Sequence, residues 1–206
     1  MRAMTLQFLF APGAGAPSSS PWMRKFSERL AVLGRVQGFD YPYQVAGRRS
    51  PDRLQVLVDA HRAAFDALDP GAPVVLIGKS MGGRIGCHLA NDQTHGRTLA
   101  LVCLGYPLVG QSGALRDEVL VALRTPILFV QGSRDPLCPL DRLAEVRARM
   151  SVANELHVVE GANHSLELTK TMLKASGLTQ DAIDDAIVRR ISDFLEKLAS
   201  SNHASL

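Results

Sequence analysis

Short apolar, β-favouring runs at residues 5–10, 35–41, 74–77, 99–104, 127–130 and 155–159 alternate along the chain with longer amphipathic segments. Strands joined through helices pair in parallel, because each crossover returns the chain to the same end of the sheet. The alternation therefore predicts a three-layer α/β/α sandwich built on a mainly parallel six-stranded sheet. The run Val74-Val75-Leu76-Ile77 is apolar at every position, as a strand covered by helices on both faces requires. Helices are expected at 21–33, 51–68, 81–91, near 114–122 and at 140–150. The clearest one follows Thr179 as N-cap, where Ile183, Ala186, Ile187, Ile191, Phe194, Leu195 and Leu198 recur at helical spacing. With 206 residues, 46% of them hydrophobic, the chain can bury one sizeable core, and residues 1–206 are expected to form one domain. The stretch 11–21, rich in Gly, Ala, Ser and Pro, reads as a loop rather than a linker.

Charge and cysteine usage narrow the functional classes. Lys and Arg total 23 against 20 Asp and Glu, a net charge of +3, and basic pairs such as Arg48-Arg49 do not extend into runs, which argues against a nucleic-acid partner. No apolar segment reaches membrane-spanning length, so no membrane partner is expected. The beginning of the chain imitates a signal peptide, with Arg2, an apolar stretch and Ala14-Gly15-Ala16; the stretch from Met4 to Phe10 is short and interrupted by Thr5 and Gln7, and reads as a first strand. Cys87, Cys103 and Cys138 match neither zinc nor disulfide spacing, so no metal is expected and a reducing, cytoplasmic compartment is.

In an open parallel sheet ligands bind beyond the carboxyl ends of the strands, so chemistry is sought there. Directly after the third predicted strand stands Gly78-Lys79-Ser80-Met81-Gly82-Gly83-Arg84, followed at once by a helical pattern. Alone, G-x-S-x-G arises by chance in roughly one chain in fifteen of this length, so the strand-turn-helix context carries the reading. A sharp turn there presents the Ser80 hydroxyl, flanking glycines avoid clashes, and the Met81 amide at the helix start can face a developing oxyanion. A phosphate-binding P-loop competes for Gly78-Lys79-Ser80, but the position of its first glycine is Pro73 and residues 73–77 read as strand.

A serine nucleophile needs a base, and the base needs an orienting group. The fifth strand leads into Gln131-Gly132-Ser133-Arg134-Asp135-Pro136 and the sixth into Glu160-Gly161-Ala162-Asn163-His164-Ser165. Singly, Asp135 is an ordinary turn residue and His164 a solvated loop histidine. Jointly, three suitable residues after three strands make Ser80 nucleophile, His164 base and Asp135 orienting acid. His61 and His88 fall in helices, His95 in a connection, His157 in a strand and His203 in the tail, where structural or solvated roles are expected. A second oxyanion donor belongs on the loop after the first strand, Ala11-Pro12-Gly13-Ala14-Gly15-Ala16, with the Ala14 amide as candidate; the rival reading is a glycine turn of no catalytic interest.

These motifs, together with Leu104-Gly105-Tyr106-Pro107, give the chain a resemblance that runs through nearly its whole length. It resembles short, lidless bacterial α/β-hydrolases, akin to dienelactone hydrolases and to chromatin-complex hydrolase-like proteins of eukaryotes. The order Ser80, Asp135, His164 is the order of the α/β-hydrolase fold. The resemblance implies a carboxylic-ester or related acyl hydrolase that needs no cofactor, acting on a small-molecule acyl substrate. Pro12 stands where such proteins usually carry histidine, and Asn163 where an acidic residue commonly precedes the catalytic histidine. Dienelactone relatives use a cysteine nucleophile, yet no cysteine lies in the 78–82 turn; Cys138 reads as a loop thiol. Lys79 is expected to pair with a carboxylate. Trp22, Tyr106 and Leu137 are the positions expected to line the cleft, which should be open because the connection after Leu104 is too short for a lid domain. The rival class is a binding or scaffold protein that keeps the fold without turnover.

Overall fold

The computed structural model describes residues 6–92, 96–110 and 113–203. Six strands, β1 (Gln7–Ala11), β2 (Arg35–Gly38), β3 (Val74–Lys79), β4 (Thr98–Leu104), β5 (Ile127–Gly132) and β6 (Asn154–Val159), form one sheet in the order β2-β1-β3-β4-β5-β6. Every neighbouring pair is parallel. The helices among the described residues are α1 (Pro21–Leu30), α2 (Pro42–Val45), α3 (Leu54–Asp66), α4 (Met81–Asn91), α5 (Glu118–Val121), α6 (Leu140–Arg149), α7 (Lys170–Ser176) and α8 (Gln180–His203). None of them is long and apolar enough to cross a membrane.

Side chains alternate across the sheet and divide the core into two layers. Phe8, Phe10, Val75, Ile77, Val102 and Val130 face one side, against Met23 and Phe26 of α1 and Ile187, Ile191 and Phe194 of α8. Leu9, Leu76, Leu101, Cys103 and Phe129 face the other, against Phe65 of α3, Leu89 of α4 and Leu143 of α6. The α8 pattern read from the sequence holds, including its cap: Thr179 Oγ1 accepts from the Ala182 amide at 3.1 Å. Asp184 adds a buried acid to that face, ion-paired with Lys25 of α1.

The elements differ from expectation in several places. The strand expected at 35–41 ends at Gly38, because Tyr41 turns into a small core with Tyr43, Leu57, Val58 and Ile85. Its amide donates to Gln44 Oε1 at 3.0 Å and opens α2, a single turn with Pro42 at its start that the sequence reading did not anticipate. The short α7 was also unanticipated, although Thr169 caps it through the Met172 amide and Gly177 ends it at φ +68°. His203 closes α8 rather than lying in a tail. Residue 5 of the first expected strand and His95 lie outside the described residues.

The sheet reverses its winding between β1 and β3: β2 follows β1 on one side, while β3 through β6 run out on the other. A crevice opens at such a switch point beyond the strand ends, here between the loop after Ala11 and the turn after Lys79.

Truncating Ile187, which is 0% exposed, to alanine should destabilise the fold by about 2–5 kcal/mol in urea unfolding. Val32→Ala, at a position 79% exposed, should change stability by less than about 0.5 kcal/mol.

Candidate active site

Ser80 sits between β3 and α4 with φ 49° and ψ −116°, a strained conformation for a residue with a side chain. Its amide donates to the Leu104 carbonyl at 2.9 Å, which ties the turn to β4. The approach of α4 to the sheet leaves no room for a Cβ on either side. One added to Gly78 would lie 2.2 Å from the Gly83 nitrogen, and one on Gly82 would lie 2.4 Å from the Ala11 carbonyl oxygen. The motif glycines are therefore demanded by backbone proximity, and their reward is a helix start aimed at the site. The Met81 amide belongs to the first turn of α4, where no intrahelical acceptor exists.

Beyond β6, His164 reaches back to Ser80. Its Nε2 lies 2.8 Å from Ser80 Oγ and its Nδ1 lies 2.7 Å from Asp135 Oδ2. A carboxylate oxygen accepts, so the ring proton belongs on Nδ1, leaving Nε2 to accept from the serine hydroxyl, and Asp135 receives other donors as well. Those donors are the Leu137 amide at 2.9 Å on Oδ1 and Gln131 Nε2 on Oδ2. Asp135 is 4% exposed, so such partners are what make its burial affordable. Gln131 in turn accepts from the Tyr106 amide at 2.9 Å through Oε1, which leaves one orientation of its amide group. Asn163 closes the turn that carries His164, its Oδ1 accepting from the amides of Ser165 at 2.8 Å and Glu167 at 3.1 Å.

The loop after β1 is anchored from α2. Tyr43 Oη donates to the Ala14 carbonyl at 2.9 Å, and Gln44 Nε2 donates to the carbonyls of Gly13 at 3.1 Å and Ala16 at 2.9 Å. In a trans peptide the C=O and the following N–H point in opposite directions. Holding the Gly13 carbonyl toward α2 therefore turns the Ala14 N–H away from α2. The loop also lies against Ser80, since a Cβ on Gly13 would stand 3.6 Å from Ser80 Cβ.

Ser80 and His164 open into a cavity of about 620 Å³ whose walls come from Gly13–Ala16, the start of α1 with Trp22 and Met23, and Lys79, Ser165 and Glu167. Of the three residues expected to line the cleft, Trp22 does so. Tyr106 does not: it is fully buried, its hydroxyl donates to the Arg116 carbonyl at 3.0 Å, and its ring meets Phe129 edge-on. Leu137 is also absent from these walls, its backbone tied to Asp135 and Val109. Lys79 is not paired with a carboxylate among the described residues. Its ammonium donates to Ser165 Oγ at 3.0 Å and sits 4.4 Å from the centre of the Trp22 ring. Burial lowers its pKa to about 8, against the opposing pull of Glu167 and Asp135.

The remaining titratable candidates are structural. Burial pushes the Cys138 thiol up to about 12, and Cys103 is raised by its hydrogen bond to Cys87 and by burial. Neither thiol has nucleophilic character in that state. His61 is enclosed beside Tyr41, and desolvation lowers its pKa to about 3. No group of metal-ligating side chains occurs among the described residues.

The fold is that of a known class. The sequence model of the family described as alpha/beta hydrolase domain matches residues 4–196, and the chain belongs to that family. Among solved structures it is similar to dienelactone hydrolase from Anabaena variabilis, at 20% identity and a TM-score of 0.72, covering 95% of this chain and 88% of that one. It is also similar to an alpha-beta serine hydrolase homologue from Coxiella burnetii, at 17% identity and a TM-score of 0.70, covering 92% and 86%. Among curated proteins it is similar to Protein sumv-2 of Caenorhabditis elegans, 27% identical over 129 residues, which make up 61% of this chain and 11% of that protein. The chain thus matches about a tenth of the length of that relative. The family resemblance read from the motifs holds, as does the parallel six-stranded sheet, without a lid domain among the described residues.

Gly82→Ala should destabilise the fold by about 1–3 kcal/mol or more in thermal or urea unfolding, because backbone rather than a side chain must move. Gly15→Ala, with nothing within 4 Å of the added Cβ, should leave stability unchanged.

Proposed function

We propose that this protein is a serine hydrolase that cleaves carboxylic esters or thioesters of small or solvent-exposed acyl groups. The observation that carries the reading is the unbroken hydrogen-bond chain from buried Asp135 through His164 to Ser80 at the floor of an open cavity. In this reaction Ser80 Oγ attacks the carbonyl carbon while its proton passes to His164 Nε2, and Asp135 stabilises the imidazolium. The carbonyl electron pair becomes an oxyanion that accepts from the amides of Met81 and Ala14. Collapse expels the alcohol or thiol, which takes the proton from His164 and leaves acyl-Ser80. Water then repeats the sequence, giving its proton to His164 and returning the serine. No step calls for a cofactor or metal. Trp22 supplies an apolar wall for the acyl or leaving group. The free thiols of Cys87, Cys103 and Cys138 support action in a reducing, cytoplasmic compartment.

Wild-type protein should be labelled covalently by a fluorophosphonate probe, and Ser80→Ala should fold by circular dichroism yet lose both labelling and nearly all p-nitrophenyl acetate hydrolysis. Undiminished turnover by folded Ser80→Ala overturns the assignment, and an unlabelled wild type identifies a non-catalytic binding protein instead. Gln44→Ala frees the carbonyls that orient the Ala14 amide. It should slow acylation by up to the roughly hundred- to thousandfold loss expected for a whole oxyanion donor, with little change in KM.

A further inference from the structure

Two lysines line the cavity, and their surroundings differ. Lys25 is ion-paired with Asp184, whose other carboxylate oxygen accepts from Gln180 Nε2 at 2.9 Å. Among the described residues the direct partners of Lys79 are neutral, the Ser165 hydroxyl and the face of the Trp22 ring. The acids whose fields reach it are Glu167, an exposed side chain on the same wall, and Asp135, already occupied by His164, Gln131 and Leu137. A hydroxyl and an indole face stabilise a desolvated ammonium without neutralising it, so part of its burial cost stands uncompensated.

The ammonium is also held in place. Trp22 Nε1 donates to the Ser165 carbonyl at 2.9 Å, Lys79 Nζ donates to Ser165 Oγ, and the Trp22 ring is stacked on Phe26 at 4.3 Å. Lys79, Ser165 and Trp22 thus form a closed unit, with Lys79 next to the nucleophile in the chain and Ser165 next to the base. An ammonium has three donors, and the cavity beside this one leads to Ser80.

We propose that Lys79 is the counter-ion for a carboxylate on the substrate, so that the preferred substrates are half-esters of short dicarboxylic acids. The idea rests on the hydrolase reading above and names its substrate class. The free carboxylate docks on Nζ while the ester carbonyl lies at Ser80, with Trp22 and Met23 against the methylene chain. A carboxylate fits better than a phosphate dianion. Among the described residues one unneutralised cation lines the cavity and no arginine fork stands beside it, and Glu167 opposes a second negative charge.

Two measurements test this independently of each other. In the first, hydrolysis of the p-nitrophenyl half-ester of glutaric acid is compared with that of its neutral methyl ester, each corrected for uncatalysed hydrolysis. Wild type should favour the charged substrate in kcat/KM by about ten- to a hundredfold, and the ratio should fall to about one or below in Lys79→Met shown to be folded by circular dichroism. In the second, glutarate is titrated into Ser80→Ala protein and followed by the fluorescence of Trp22, the one tryptophan in the chain. Saturable binding is expected, lost when Lys79→Met is added to the same background, and neither glutaramide nor inorganic phosphate should match it. A wild-type ratio near one, a ratio unchanged in Lys79→Met, glutarate binding that survives Lys79→Met, or tighter binding of phosphate than of glutarate overturns the proposal. Fluorophosphonate labelling without carboxylate preference removes this inference alone. Glutarate binding that depends on Lys79 in a wild type that does not label keeps the anion site and removes the hydrolase reading.

Discussion

The backbone of α4 comes so close to the ends of β1 and β3 that the chain tolerates no Cβ at Gly78 or Gly82. Much of the site depends on that approach. It forces the sharp turn at Ser80, places the side chain at the sheet edge and aims the first amides of α4 toward the same point. It also brings the loop after Ala11 close to Ser80. The strain at Ser80 is supported from outside the turn, by the hydrogen bond to Leu104 and by Met81 and Ile85 packed among Tyr41, Tyr43 and Leu57. A local backbone strain and a tertiary close contact are thus two sides of one arrangement.

The acid side of the site is built on the opposite principle, with polar groups buried but satisfied. Asp135 is enclosed yet receives Leu137, Gln131 and His164, while Gln131 is held by Tyr106 at the turn after β4. The histidine is therefore oriented through a relay of hydrogen bonds that crosses from β4 through β5 to the turn after β6. Tyr106, expected at the cleft, serves this relay through its backbone while its ring fills the core beneath.

The sheet, its helices and the positions of Ser80, Asp135 and His164 were legible in the sequence because each rests on local pattern: apolar runs, helical spacing, a glycine-flanked turn and residues placed just after strands. What stayed illegible depends on contacts between distant segments. Gln44 reads as an ordinary polar residue until α2 brings it against the Ala16 carbonyl, 28 residues away in the chain. Gln131 looks like the polar end of a strand, and nothing local says that it holds Asp135. The short α2 escaped notice because Val36, Phe39 and Tyr41 favour a strand through Gly38 and Asp40, whereas Tyr41 packs into a separate core and the strand ends at Gly38. For α7 the signals were present, Thr169 before it and Gly177 after it, but its helical residues are not buried and gave no apolar stripe to read.

With no lid domain among the described residues, the surroundings of a charge at this site are set by the cavity walls. A closing lid would exclude water and strengthen every charge interaction beneath it. Without one, a weakly desolvated charge at the rim would be screened and would discriminate little between substrates. Lys79 escapes that limit because its ammonium is drawn down beside Ser165 and roofed by the Trp22 ring, where burial lowers its pKa. The wall thereby provides, at one position, the low-dielectric surroundings that a lid would otherwise create over the whole site. Lys25, at the same cavity but neutralised by Asp184, shows the alternative outcome: a lysine spent on joining α1 to α8 carries no remaining charge for a ligand. The two lysines differ in whether the fold supplies a carboxylate, and that difference in partners is what makes the Lys79 side of the cavity chemically distinct.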